Sequence, residues 1–244
     1  HKNVSQLESL LQRSSMYRRK LVVTDSVFSM DGDTAPLPEI VNIAKRYDAI
    51  LMVDDAHATG VFGKQGKGMI EHCGLEGKID IVMGSLSKAV GSIGGFIAGS
   101  KPLIDFLKNK ARPFIYTTAL PPAVCAASMA GLTLIQEDVS LIDTLWKNIA
   151  FLKSRLSTFM DTIAGESPIV PLIVGSAEDA VNLSTKLYQN GILIPAIRPP
   201  TVPPGTSRLR ISLMATHSAD DINRLIDILQ YVGFLTREHV KDVC

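Results

Sequence analysis

The chain has 244 residues, of which 46% are hydrophobic and 20% charged, and a formal net charge of +1. This balance excludes a disordered chain and allows a sizeable buried core, in one large domain or two modest ones. With no basic stripe, no nucleic acid or anionic membrane is expected as a partner. No apolar run reaches the roughly 18–20 residues of a membrane span, and no signal-peptide pattern is present.

In chain order, "SQLESLLQRS" (5–14) has leucines at 7, 10 and 11, the spacing of one helix face. "KLVVTDSVFSM" begins as a strand and runs into the turn-rich "MDGDTAPLP". Pro38 then opens a helix, "PEIVNIAKRYD", in whose first turn proline is tolerated. "AILMVDD" (49–55) is a continuous apolar run ending in acids, as in a strand covered on both faces, and "KIDIVMGS" (78–85) is another. "PLIDFLKNKARPF" reads as helical up to Pro113. "YTTALPP" is a loop whose prolines, Pro121 and Pro122, start the next helix. "VSLIDTLWKNIAFLKSRLSTFMDTI" reads as one long amphipathic helix. The pattern then changes. "SPIVPLIVGS" is a strand, "AEDAVNLSTKLYQNG" a helix stopped by Gly191, "ILIPAIRPP" and "SRLRISLMA" are strands, and Ser218 caps a closing helix.

Strands alternating with helices imply an α/β fold with a mostly parallel sheet. Residues 1–135 read as one domain, and 136–244 as an interdomain helix with a smaller carboxyl-terminal α/β domain. In parallel sheets ligands gather beyond the carboxyl ends of the strands. "TDSVFSMDG", "VDDAHATG" and "GSLSKAVG" are all expected there. Cys73, Cys125 and Cys244 are far apart and form no C-x-x-C, so neither a zinc site nor a disulfide framework is expected, and a reducing cytoplasm fits.

Lys88 stands among Gly84, Ser85, Ser87, Ala89, Gly91, Ser92, Gly94 and Gly95. A surface lysine needs no such small neighbours. Ser85-Leu86-Ser87-Lys88 matches the S-x-x-K of serine acyl-enzymes, with Ser85 as nucleophile, but the accompanying S-D-N and K-T-G strings do not occur. Nor is "GSIGG" a phosphate loop of the G-x-x-x-x-G-K-[ST] kind. Asp54, Asp55 and His57 could hold a metal or simply cap the next helix. No second cluster supports a metal, and none is assigned.

A third reading joins more residues. A buried lysine can form a Schiff base with pyridoxal phosphate (PLP), whose flat ring needs small neighbours. The ring serves as an electron sink when its nitrogen stays protonated, which requires an acid opposite it. Asp54 is such an acid. His57 and Ser29 can hydrogen-bond the ring oxygen, and Ser85 the phosphate.

"VFSMDGDTAPLPEI", "MVDDAHATGVFG", "GSLSKAVGSIGGFIAGS", "YTTALPP" and "RPPTVPPGTSRLRISLMATHS" follow one another in this order. Together they resemble the α-oxoamine synthases, PLP enzymes of the aspartate-aminotransferase fold. The resemblance spans essentially the whole chain. It implies that Lys88 is the Schiff-base lysine, that Asp54 pairs with the ring nitrogen and His57 with the ring oxygen, and that Ser29 contacts the cofactor. Ser85 stands where the family usually has threonine and keeps the hydroxyl. Thr117 or Thr118 resembles the residue that reaches the neighbouring subunit's phosphate, which implies a homodimer. Thr201 matches a substrate-binding position and Arg210 a substrate-carboxylate clamp, with Arg198 as a second candidate.

The implied reaction is a decarboxylative condensation of an amino acid with an acyl thioester. "RPPTVPPGTSRLR" points to L-alanine and pimeloyl-CoA (or the pimeloyl carrier protein), as in biotin biosynthesis, rather than to glycine and an acetyl thioester. The family's ring-stacking histidine and a glycine-rich segment lie upstream of where this chain starts, so an amino-terminal part is expected to be missing.

Overall fold

The computed structural model describes residues 1–161 and 163–235; Cys244 and the sequence reading made of it lie outside them. The chain divides into two compact units, one of residues 1–27 and 34–139, the other of 28–33 and 140 onward.

The first unit runs α1 (Val4–Arg13), β1 (Leu21–Asp25), α2 (Leu37–Arg46), β2 (Ile50–Asp54), α3 (Met69–His72), β3 (Ile81–Ser85), β4 (Gly95–Gly99), α4 (Lys101–Lys110), α5 (Arg112–Ile115) and α6 (Pro122–Glu137). Its sheet has the order β1-β2-β3-β4. The first three strands are parallel, and β4 returns antiparallel to β3. Asn3 starts α1 by accepting the Gln6 N–H at 2.8 Å, which satisfies one of the donors a helix start leaves open. Helix α2 buries Leu37, Ile40, Val41, Ile43 and Ala44, one continuous apolar face.

Strand residues alternate between faces. Val22, Leu51 and Val53 are buried, while Leu21, Val23 and Ile50 are exposed. The expected two-sided cover of the second strand is therefore one-sided within the described residues. Pro113 also acts differently from expectation. The helix stops at Lys110, Ala111 is extended, and Pro113 lies in the first turn of α5. A proline ring inside a helix would collide with the carbonyl four residues back, here Asn109, so the break comes before it. Strand β4 carries glycine at both ends and α3 is four residues long; neither offers a period that sequence reading can detect.

The second unit runs α7 (Ser140–Leu156), β5 (Ile169–Gly175), α8 (Ala177–Gln189), β6 (Ala196–Ile197), β7 (Ser207–Ser212) and α9 (Ala219–Tyr231). The sheet is antiparallel with β7 in the centre, in the order β5-β7-β6. Helix α7 ends at Leu156, earlier than the pattern suggested, and buries Ile142, Leu145, Ile149, Leu152 and Leu156. Helix α9 buries Ile222, Leu225, Ile226 and Leu229. The Asn148 amide fastens α7 near the start of α9, donating to the Met214 carbonyl at 3.1 Å and the His217 carbonyl at 2.8 Å. Ser218 makes a reciprocal capping box with Asp221. No helix of the described residues is long and apolar enough to cross a membrane.

Candidate active site

Within the first unit, the carboxyl ends of β1, β2 and β3 lie side by side, with Asp25 in register with Asp54. Parallel strands place register partners on one face, so two carboxylates stand together at this sheet edge. Burial and the neighbouring Asp54 raise the Asp25 pKa above the ordinary carboxylate range, and Lys88 opposes them. Asp54 and Lys88 thus both act on a single carboxyl group. Asp25 was not singled out from the sequence. Its position at the end of an apolar strand run, like that of Asp54, is the signal that could have found it.

Asp54 and Asp55 are adjacent and do different work. Asp54 is half-buried, and its Oδ1 accepts the Ala56 N–H at 2.9 Å. Asp55 is 1% exposed and accepts the Met69 N–H through both carboxylate oxygens. Its pKa is pushed up to about 6 by burial, against the hydrogen bond from the Met69 N–H, with Asp54 adding to the rise. Gly68 lies so close that a Cβ there would sit 1.7 Å from Asp55 Oδ2. The Asp55 carbonyl then closes a turn by accepting the Ala58 and Thr59 N–H groups. That turn carries His57, which is half-buried.

Lys88 sits on the β3–β4 connection. This loop is closed by Leu86 N–H to the Gly94 carbonyl at 2.9 Å, Ser92 N–H to the Leu86 carbonyl at 2.8 Å and Gly91 N–H to the Lys88 carbonyl at 3.0 Å. Ser92 and Ser128 fasten it to α6. Several small residues serve this packing rather than a ligand. A Cβ on Gly84 would meet the Phe96 ring at 2.3 Å, one on Gly131 the Val90 carbonyl at 2.4 Å, and one on Gly60 the Ala89 Cβ at 2.7 Å. Gly91 alone in the Lys88 loop faces open space, with nothing within 4 Å. Lys88 itself is exposed rather than buried as the Schiff-base reading supposed. The Ser85 and Ser87 hydroxyls are 2.8 Å apart, and Ser87 N–H also donates to Ser85 Oγ. This pairing gives no help to Ser85 as a nucleophile.

Thr117 and Thr118 follow α5 and are exposed, with the Thr117 hydroxyl donating back to the Pro113 carbonyl. A separate cavity of about 550 Å³ is lined by Asp55, Lys67, Phe96 and Ile135 among others, but not by Asp54, His57 or Lys88.

The second unit holds Ser29, Arg198, Thr201 and Arg210. Thr201 and Arg198 are exposed, in a turn closed by Thr201 N–H to the Arg198 carbonyl at 3.1 Å. Alternation places Arg208 and Arg210 on one face of β7, and the structure separates their surroundings. Arg208 is buried in an ion pair with Asp31. Arg210 donates from Nη1 to the Ser29 carbonyl at 3.2 Å, and its buried Nε has no partner. Among the described residues it has no carboxylate partner.

These features define a class. The sequence profile of the aminotransferase class I and II family matches residues 1–229, and the chain belongs to that family. Particular relatives are close. The 8-amino-7-oxononanoate synthase 1 of Bacillus subtilis is 44% identical over 94% of this chain and 59% of its own length. The 8-amino-7-oxononanoate synthase of Methylobacillus flagellatus is 50% identical over 94% of this chain and 58% of its length. Among solved structures, a serine palmitoyltransferase from S. paucimobilis with a bound PLP–myriocin aldimine superimposes with a TM-score of 0.91. It is 35% identical, covering 96% of this chain and 59% of that one. The 8-amino-7-oxononanoate synthase of Francisella tularensis gives 0.80 at 29% identity, covering 96% and 68%. The fold is thus that of the PLP-dependent aminotransferase-like enzymes, and the chain spans about three-fifths of the curated relatives it matches.

Proposed function

We propose that the protein is a PLP-dependent acyltransferase. It condenses L-alanine with pimeloyl-CoA, or with the pimeloyl carrier protein, to give 8-amino-7-oxononanoate, CO2 and the free thiol carrier, a step of biotin biosynthesis. The observation that carries this reading is the grouping of Asp54, His57 and Lys88 at one sheet edge, in a chain 44–50% identical to synthases of that name.

The donor set suits PLP: an accessible amine for its aldehyde, a carboxylate for its ring nitrogen, an imidazole for its ring oxygen, and paired hydroxyls for its phosphate. When bound, PLP supplies an electron sink for negative charge developing at the amino acid's α-carbon. Lys88 would hold it covalently and, once released, act as the base for the α-proton. An exposed lysine on a loop can make both movements. The Asp54 carboxylate, oriented by the Ala56 N–H, holds the ring-nitrogen proton by charge. His57 is presented on the turn that Asp55 closes and donates to the ring oxygen. Ser85 is assigned to the phosphate, with Thr117 or Thr118 reaching that of a second subunit in a homodimer.

From the second unit, Ser29 is assigned a contact to the cofactor and Arg210 the alanine carboxylate. Arg198 and Thr201 are assigned to substrate. A planar guanidinium with an unpaired buried Nε suits a carboxylate. Cytoplasmic location belongs to the same reading.

The test is a steady-state assay of the complete gene product with alanine, glycine and serine, each paired with pimeloyl and acetyl thioesters. Alanine with pimeloyl thioester is expected to give the highest kcat/KM. Preference for glycine with acetyl thioester would move the protein to another member of the group.

A further inference from the structure

Two arginines of β7 grip consecutive residues of one loop. Residues 28–33 close on themselves through Phe28 N–H to the Asp33 carbonyl at 2.9 Å and Gly32 N–H to the Phe28 carbonyl at 2.8 Å. One end is fixed against β5. Gly32 has φ +68°, and a Cβ there would fall 2.1 Å from the Ile169 carbonyl oxygen. The Gly32 carbonyl accepts the Glu166 N–H at 2.7 Å. The middle of the loop is held by Arg208, whose Nη1 donates to the Met30 carbonyl at 3.2 Å and to Asp31 Oδ1. Arg208 Nε is spent on the Thr206 carbonyl at 3.1 Å. The residue just before this grip is Ser29, and its carbonyl receives Arg210 Nη1.

Arg208 is 5% exposed. A cation so buried is tolerated when it is paired and hydrogen-bonded, and Asp31 with two carbonyls meets that need. Since β7 is the central strand, hydrogen-bonded on both sides, the backbone that carries both arginines is fixed. The loop is the part that can shift.

We propose that Arg208 is a positioning residue for Arg210. By pinning Met30 and Asp31 it sets where the Ser29 carbonyl lies, and that carbonyl sets the direction of the Arg210 guanidinium. This inference rests on the reading of Arg210 as the alanine clamp.

The experiment uses the complete gene product loaded with PLP, with alanine affinity measured by calorimetry alongside KM and kcat. Arg208→Met is expected to weaken alanine binding roughly tenfold, about what one charge-assisted contact is worth, while kcat changes by less than about threefold. Arg208→Lys keeps the charge without the planar fork and is expected to recover part of the loss. Asp31→Ala alters a half-exposed partner and serves where Arg208→Met folds poorly; a loss of roughly threefold is expected. The discriminating variants combine either change with Arg210→Ala. If Arg208 acts through Arg210, the double variants bind alanine no worse than Arg210→Ala alone. Losses that add in full, or single variants that bind alanine like the wild type, overturn the inference. If those singles are normal while Arg210→Ala is impaired, the clamp reading survives and this one falls. If Arg210→Ala itself binds alanine normally, both fall.

Discussion

The two units carry their charged groups in opposite ways. In the first, Asp54, His57 and Lys88 stand at or beyond the ends of parallel strands, half-buried or exposed. In the second, Arg208 and Arg210 project from within a central strand, one buried and paired with Asp31, the other held to a loop carbonyl. The difference matches the tasks assigned to them. A lysine that binds, releases and moves a proton needs freedom, which a loop closed by a few backbone hydrogen bonds allows. A clamp that fixes the angle of a carboxylate needs rigidity, which a strand hydrogen-bonded on both sides provides. Asp55 shows the same division within two residues. Its neighbour Asp54 is half-buried and assigned to the cofactor, while Asp55 is committed to the N–H of Met69 and to the turn beneath His57.

The largest expected effect tests the mobile side of this contrast. Lys88→Ala should cost at least about a thousandfold in turnover, since both the covalent attachment and the base are removed. Borohydride reduction of the PLP-loaded wild type followed by peptide mapping should place the pyridoxyl label on Lys88, and label on another lysine would refute the assignment.

Next comes the division between neighbouring aspartates. Asp54→Asn should lower turnover by about a hundredfold, because a neutral amide cannot hold the ring-nitrogen proton by charge. Asp55→Asn should leave turnover within a few-fold of wild type and alter stability instead. The folded-state pKa of Asp55, about 6, lies above its unfolded value of 3.8. Its carboxyl therefore favours the fold fully below about pH 3.8, and that contribution is lost as pH rises through about 6. The full window is worth up to about 3 kcal/mol. Thermal melting between pH 4 and 7 should show the Asp55→Asn variant gaining on wild type as pH rises. An unchanged difference across that range would mean the carboxyl does not titrate there.

On the rigid side, Arg210→Ala should weaken alanine binding by roughly ten- to a hundredfold, and Arg210→Lys should restore only part of it. Titration with alanine, followed by the change in cofactor absorbance, gives the numbers. The smallest effect lies away from both groups. Ser218→Ala removes the α9 cap and should cost about 1 kcal/mol, a shift of roughly 2–4 °C in Tm, with kcat/KM unchanged. A loss of activity there would mean that the α9 start matters to the site as well as to the fold.

Much of this was legible in the sequence because it is local. Apolar runs mark β1 and β2, the second ending in acids. The Leu37–Ala44 face follows the period of a helix, and Ser218 with Asp221 three residues later is a cap with a short-range cause. The order of the motifs around Asp54, Lys88 and Arg210 was enough to mark the family. Tertiary structure decided what depends on distant partners. The role of Arg208 follows from Asp31, 177 positions away, and no periodicity connects the two. Asp25 matters because parallel pairing sets it beside Asp54. Small residues beside Lys88 suggest space for a ring, yet one of them, Gly84, makes room for the Phe96 ring of the neighbouring strand. The physical reason is common to all three. A residue's chemistry and conformational preference travel with the chain, but its burial, its charge neighbours and the atoms that fill its surroundings are fixed only when separate segments pack together.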